Sequence, residues 1–242
     1  MHSSDWVALA VALPLGISAV ARTSAALHGR NRLLWVAHIL IVVCLLLAIT
    51  PIYSLVDGLL GQANWANLLS HLLFGLVLYF GCQHVALALS RPDLAALIAG
   101  KMSLILLIII SALMVITFVL ADVPSSSMGL NAYRGEALVV AYKSLSFLYP
   151  MLCSLVLLRP LFREATGSLL PQGQRIAFWF LGVGFFLVVP VPFIHLAEFW
   201  FPSVRGWVDV FLYAAILLVS LGPMIAFLQS RRQLPHNKTL AR

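Results

Sequence analysis

The chain has 242 residues, of which 62% are hydrophobic and only 10% charged, with a mean hydropathy of +1.02. A soluble domain averages roughly 45–50% apolar and about 25% charged residues, so a water-soluble fold is excluded and the chain reads as an integral membrane protein. A net charge of +7 fits a nucleic-acid binder in a soluble protein, but in a membrane chain the placement of the charges orients the helices, and nucleic acid is not an expected partner.

A spanning helix needs about 20 largely apolar residues. The N-terminus, MHSSDW, holds Asp5 and no Lys or Arg. A cleaved signal peptide starts basic, so the first apolar run, 6–21, reads as a retained helix that continues toward Ala26, with Arg22 snorkelling to the interface. Six further runs follow at 33–54, 66–89, 100–120, 137–158, 176–200 and 207–228. The segments between them, HGRNR, SRPD, DVPSSSMG, GSLLPQGQ and FPSVRG, carry turn and breaker residues. Trp6, Trp35, Trp65, Trp200 and Trp207 fall near run ends, where aromatic belts sit, and Trp179 lies one turn inside its run. The sequence therefore predicts an all-α integral membrane protein: a seven-transmembrane-helix bundle over residues 1–230, with a short basic tail at 231–242. Cys44, Cys82 and Cys153 lie inside apolar runs and form no CxxC pair, so neither a disulfide framework nor a thiol redox motif is indicated.

The basic residues are distributed unevenly. Arg22, Arg30, Arg32, Arg91, Lys101, Arg159, Arg163, Arg175, Arg231, Arg232, Lys238 and Arg242 fall on one side of the expected bundle. Only Arg134 and Arg205 fall on the other, and Lys143 sits within a run. The positive-inside rule then places the N-terminus outside and the C-terminus in the cytoplasm. The basic side is expected to touch anionic lipid.

Ionisable groups inside spanning helices are costly, so each one is a candidate functional residue. The stretch FIHLAEFWF, residues 193–201, places His195 and Glu198 at i, i+3 on one helix face. Pro190 and Pro192 lie just before it, free backbone carbonyls and are expected to kink the helix, which is tolerated against protein or a wet cavity. With a rise of about 1.5 Å per residue, His71, Lys143 and His195 all lie roughly 8–9 Å below the outer surface. Glu198 and Asp209 lie nearer that surface. The expected site is therefore an outward-facing polar cavity lined by His71, Lys143, His195, Glu198 and Asp209, with Lys143 as counter-charge to Glu198. The competing reading is that each group satisfies itself alone, by snorkelling, by reaching water or by bonding a carbonyl. No metal site is expected, because HxxE is not HExxH and no further His or Cys completes a set.

A second reading uses the histidines as haem ligands. His38 and His84 at the inner level, and His71 and His195 at the outer, have the layout of bis-His ligation of two b haems. Against it, the thirteen residues from His71 to His84 turn about 1300°, which leaves the two roughly 140° apart around their helix. Other chemistries fit less well. The seventh run has no Lys for a retinal Schiff base and no His for a seven-helix zinc hydrolase, and no Ser in a Gly-rich turn is paired with a His.

The segments NWANLLSHLLFGLVLYF, YRGEALVVAYKSLSFLYPMLCSLVLL and QRIAFWFLGVG, with Asn67, His71, Tyr149 and Arg175 among their residues, resemble the membrane part of an actinobacterial family described as seven-helix transporters linked to regulators. The resemblance implies a seven-helix fold in a bacterial inner membrane and carries no assigned activity. Members have a cytoplasmic C-terminal domain, whereas this chain continues only through SRRQLPHNKTLAR, so a signalling role that needs the domain is not implied.

Three functions follow as expectations. The first is binding or passage of a small polar or ionic ligand at the outward cavity, as a sensor or transporter component, with neither catalytic residues nor cofactor. The second is electron transfer by b haems. The third is an accessory subunit of a larger complex of membrane proteins.

Overall fold

The computed structural model describes residues 3–29, 31–168 and 170–239, and places no side chains for 3, 4, 205 and 226–239. Arg30 and Arg242 of the charge count thus lie outside the described residues, as do the side chains of Arg205, Arg231, Arg232 and Lys238. Among the described residues the chain is entirely helical, without strands: α1 (Ser3–Leu27), α2 (Arg32–Leu47), α3 (Thr50–Leu59), α4 (Trp65–Ala88), α5 (Pro92–Ala99), α6 (Lys101–Ala121), α7 (Ala137–Ser146), α8 (Leu148–Thr166), α9 (Gln172–Val188), α10 (Val191–Ala197) and α11 (Arg205–Thr239), with short 3-10 turns at Met128–Tyr133 and Pro202–Val204. Six helical stretches are long and apolar enough to cross a membrane, counting α7 with α8 and α9 with α10 as single spans. The protein is an all-helical, multi-pass membrane protein.

The expected runs differ from the structure mainly where proline intervenes. The run 33–54 is not one helix. Ala48 and Ile49 leave helical geometry, Ile49 is extended (φ −92°, ψ 120°) and Pro51 opens the next helix, so α3 departs from α2 at 92°. Pro51 has no N–H for the Leu47 carbonyl, and its ring would collide with that carbonyl in a continuous helix. With 16 residues, α2 reaches only about 24 Å, short of the ~30 Å hydrocarbon core. The run 137–158 breaks at Phe147 (φ −102°, ψ 0°), three residues before Pro150, and then continues to Thr166. The run 176–200 breaks at Val189–Pro190 and ends at Ala197, where Glu198 caps it. Ser144 and Ser146, beside the second break, turn their hydroxyls back onto the carbonyls of Val140 and Lys143, at 2.9 and 2.7 Å.

Two further differences lie elsewhere. An additional helix, α5, fills the segment between α4 and α6; Pro92 occupies its first turn. It meets α6 at Gly100, where a Cβ would stand 2.8 Å from the Ala96 carbonyl oxygen. At the C-terminal end, the backbone of α11 stays helical to Thr239, through most of the segment expected as a tail.

The helices close a ring: α1 packs on α2, α2 on α4, α4 on α8, α8 on α9, α9 on α11, and α11 touches α1. Outside the ring, α6 packs on α7, α4 and α8 and exposes Ile105, Ile108, Ile109, Ile116 and Leu120 on its far face, as a lipid-facing helix does. The α9–α11 seam is held close by glycine. A Cβ on Gly184 would meet Val219 Cγ2 at 2.7 Å, and one on Gly222 would meet Leu181 Cγ at 2.7 Å. Small residues of this kind let helix backbones approach where burial from water supplies little drive.

Candidate functional site: a polar cavity at the loop end

The connection 122–136 covers one end of the bundle, and two buried carboxylates organise that end. Asp57, in the last turn of α3, accepts the backbone N–H groups of Asn64 and Ala66, both at 3.1 Å. These amides lie at the start of α4 and have no partner within the helix, so a carboxylate there is favoured both as acceptor and as charge. Asp5 of α1 does the same for α3, accepting from Thr50 N at 3.0 Å and Thr50 Oγ1 at 2.8 Å. Asn64, held at φ 62°, then ties down the loop. Its Nδ2 donates to the Ser125 carbonyl (2.8 Å), and its Oδ1 accepts from Ser127 N (2.6 Å) and Tyr53 Oη (3.1 Å).

Beneath this loop lies a cavity of about 280 Å³. His71 of α4, Lys143 of α7, His195 and Glu198 at the end of α10, and Asp209 of α11 all line it. The structure thus brings together the five residues that the sequence assigned to one cavity. Lys143, His195 and Glu198 are buried in the protein, whereas Asp209 is exposed at the rim.

His195 Nδ1 and Glu198 Oε1 are 3.3 Å apart, an ion-pair distance, but the atoms are poorly aligned and His195 Nδ1 makes no hydrogen bond. Phe147, freed from helical packing by the α7–α8 break, stacks on the His195 ring at 5.5 Å and meets His71 edge-on at 6.0 Å. His71 donates from Nδ1 to the Asn67 carbonyl at 2.9 Å, with Tyr142 Oη also at 2.9 Å. A neutral His71 ring with its proton on Nδ1 keeps Nε2 as an acceptor. Lys143, Arg134 and His195 all lie within electrostatic reach of Glu198.

Sequence reasoning passed over several members of this site. Asn67 and Arg134 line the cavity. Asn67 stands one turn before His71 on the same face, a spacing that could have brought it in. Arg134 was counted only for topology; the 3-10 turn carries it inward, and Asn131 Oδ1 holds its Nε at 2.6 Å. Nothing local in the sequence marks Asp57 or Asn64, because their partners depend on how α3 folds back. Two other residues quoted for the family resemblance lie in packing contacts: Tyr149 pairs with Ser103 at 3.0 Å, and Arg175 Nε donates to the Ala165 carbonyl at 3.2 Å.

Of the histidines of the haem reading, His71 and His195 both line this polar cavity. His38 donates from Nδ1 to the Leu34 carbonyl at 2.7 Å and borders a second, apolar cavity of about 100 Å³. His84 is not among the residues that line that cavity. No family model matches the chain, and neither a curated protein nor a solved structure shows significant similarity to it.

Proposed function

We propose that the protein binds or passes a small polar or ionic ligand at an outward-facing cavity, as a sensor or transporter component of a bacterial plasma membrane. The observation that carries this reading is the convergence of His71, Lys143, His195, Glu198 and Asp209, from four helical elements, on one space at the loop end. Ionisable groups gathered at membrane depth are costly unless they serve a ligand or ion path. The three helix breaks support the same reading. Ala48 and Phe147 line the cavity, and the break at Val189–Pro190 precedes the helix that brings in His195 and Glu198. Broken backbone is tolerated at that depth where it borders a cavity. The resemblance to seven-helix transporters linked to regulators agrees with it.

The proposed topology counts α2 and α3 as one broken span, giving seven, with the N-terminus outside and the C-terminus in the cytoplasm. The uneven distribution of Lys and Arg supports it. The test is thiol labelling in intact cells with a membrane-impermeant reagent. The native Cys44, Cys82 and Cys153 are buried. Asn131→Cys, at the cavity mouth, is expected to label in intact cells, and Ser168→Cys, between α8 and α9, only after permeabilisation. The reverse pattern overturns the outward reading. A thermal-shift screen of small polar compounds on purified protein then tests occupancy; a genuine hit is weakened in Lys143→Met and in Glu198→Gln.

A further inference from the structure

The charges of the cavity are segregated along the chain. Its cations, Arg134 and Lys143, come from the segment entering and forming α7, while its carboxylates, Glu198 and Asp209, come from the end of α10 and the start of α11. Since α7 and α10 pack directly on each other, the cations Lys143 and Arg134 come within electrostatic reach of Glu198, with Asp209 on the lining of the same cavity. The two sets balance when the histidines are neutral. A ligand carrying net charge would leave an uncompensated charge beside the buried Lys143 and Glu198, which is costly; a ligand with one charge of each sign leaves none.

A second, independent observation indicates one half of the ligand. Asn67 is buried, lines the cavity, and its amide Nδ2 has no hydrogen-bond partner. An unpaired buried donor is unfavourable, and a ligand acceptor beside Lys143 and Arg134 would satisfy it. The volume of about 280 Å³ falls just below the ~300–1,000 Å³ of sites for drug-sized molecules, which limits the ligand to a small one.

We infer that the ligand is a small zwitterion, an amino-acid-like or betaine-like molecule. Its carboxylate lies toward Asn67, Lys143 and Arg134, and its ammonium toward Glu198 and Asp209. This rests on the cavity reading above and narrows it to a chemical class.

The test is a thermal-shift and calorimetric titration of the full chain in detergent with compounds of similar size. Glycine, β-alanine, γ-aminobutyrate and glycine betaine represent the zwitterion; propionate, propylammonium and propionamide represent the anion, the cation and the neutral molecule. At least one zwitterion is expected to bind saturably, about tenfold or more tighter than either single ion, as loss of one charged hydrogen-bonded end implies. Glu198→Gln is expected to remove that preference, and Asn67→Leu to weaken zwitterion and propionate alike. If propionate or propylammonium binds as well as every zwitterion, the zwitterion assignment is wrong and the cavity reading stands. If only an unrelated polar compound from the wider screen binds, the same holds. If nothing in either set binds, both fail.

Discussion

Two cavities of this bundle, the polar one at the loop end and the apolar one that His38 borders, are neighbours and opposites. Leu212 lines both, and Phe74 of the apolar one meets Phe147 of the polar one at 5.8 Å. The apolar cavity, about 100 Å³, is walled by unbroken stretches of α1, α2, α4, α9 and α11, with His38 and Ser220 among otherwise apolar residues. His38 and Ser220 each bond a carbonyl one turn earlier in their own helix. The loop-end cavity, about 280 Å³, lies where helices break, and its polar groups reach across elements. The difference shows how a membrane protein places polar chemistry. Continuous helices satisfy their backbone internally and can afford only apolar walls, while proline breaks and capping carboxylates leave room for charged side chains that answer to one another.

The largest effect is expected where the loop end is anchored. Asp57→Ala removes the acceptor of two buried N–H groups, and charge-assisted bonds of this kind are each worth about 1.5–3 kcal/mol. Thermal unfolding in detergent should register a loss of about 3 kcal/mol or more, with the 122–136 loop becoming susceptible to protease. Unchanged stability would show that this carboxylate does not anchor the loop.

Next is a change confined to the apolar region. Gly184→Val drives a side chain into Val219 and the Ala215 carbonyl, for which a Cβ alone would already stand at 2.7 and 3.1 Å. Overpacking typically costs about 1–3 kcal/mol. Stability should fall by that amount while ligand binding at the loop end is retained; loss of both together would mean that the two regions are not separable.

The Lys143–Glu198 relation is tested by a double-mutant cycle. Lys143→Met and Glu198→Gln are each expected to lower stability by about 1–3 kcal/mol, less than for a fully enclosed pair because the cavity lining includes the exposed Asn131 and Asp209. The double variant should lose less than the sum, with a coupling of about 0.5 kcal/mol or more. Additive losses would leave two side chains that line the same space without acting on each other.

The smallest effect is expected at Arg91 and Asp93, an exposed pair 2.6 Å apart at the start of α5. The Arg91 guanidinium holds the Asp93 carboxyl down at about 2. A depressed carboxylate stabilises the fold above its unfolded value of about 3.9, and that contribution is lost as pH falls through the folded value. Solvent screens so exposed a pair. Asp93→Asn should therefore leave the melting temperature near neutral pH almost unchanged, and any difference from wild type should vanish between about pH 4 and pH 2.

The sequence by itself determined the all-helical membrane class, since no water-soluble fold hides so much apolar surface, and it placed His71, Lys143 and His195 at similar depth with Glu198 and Asp209 nearer the surface, since depth along a helix follows from residue count. It also pointed to the kink before FIHLAEFWF, because Pro190 and Pro192 are local signals. The 92° turn after α2 was not evident: Pro51 fits both the end of a long run and the first turn of a new helix, and only the carboxylates of Asp5 and Asp57, which cap the starts of α3 and α4, favour the second. The roles of Asn64, Asn67 and Arg134 were decided by tertiary structure alone. Each depends on a partner or neighbour brought in by folding, Ser125 and Ser127 for Asn64 and the shared cavity for the other two, and helix periodicity carries no information about which helices stand side by side.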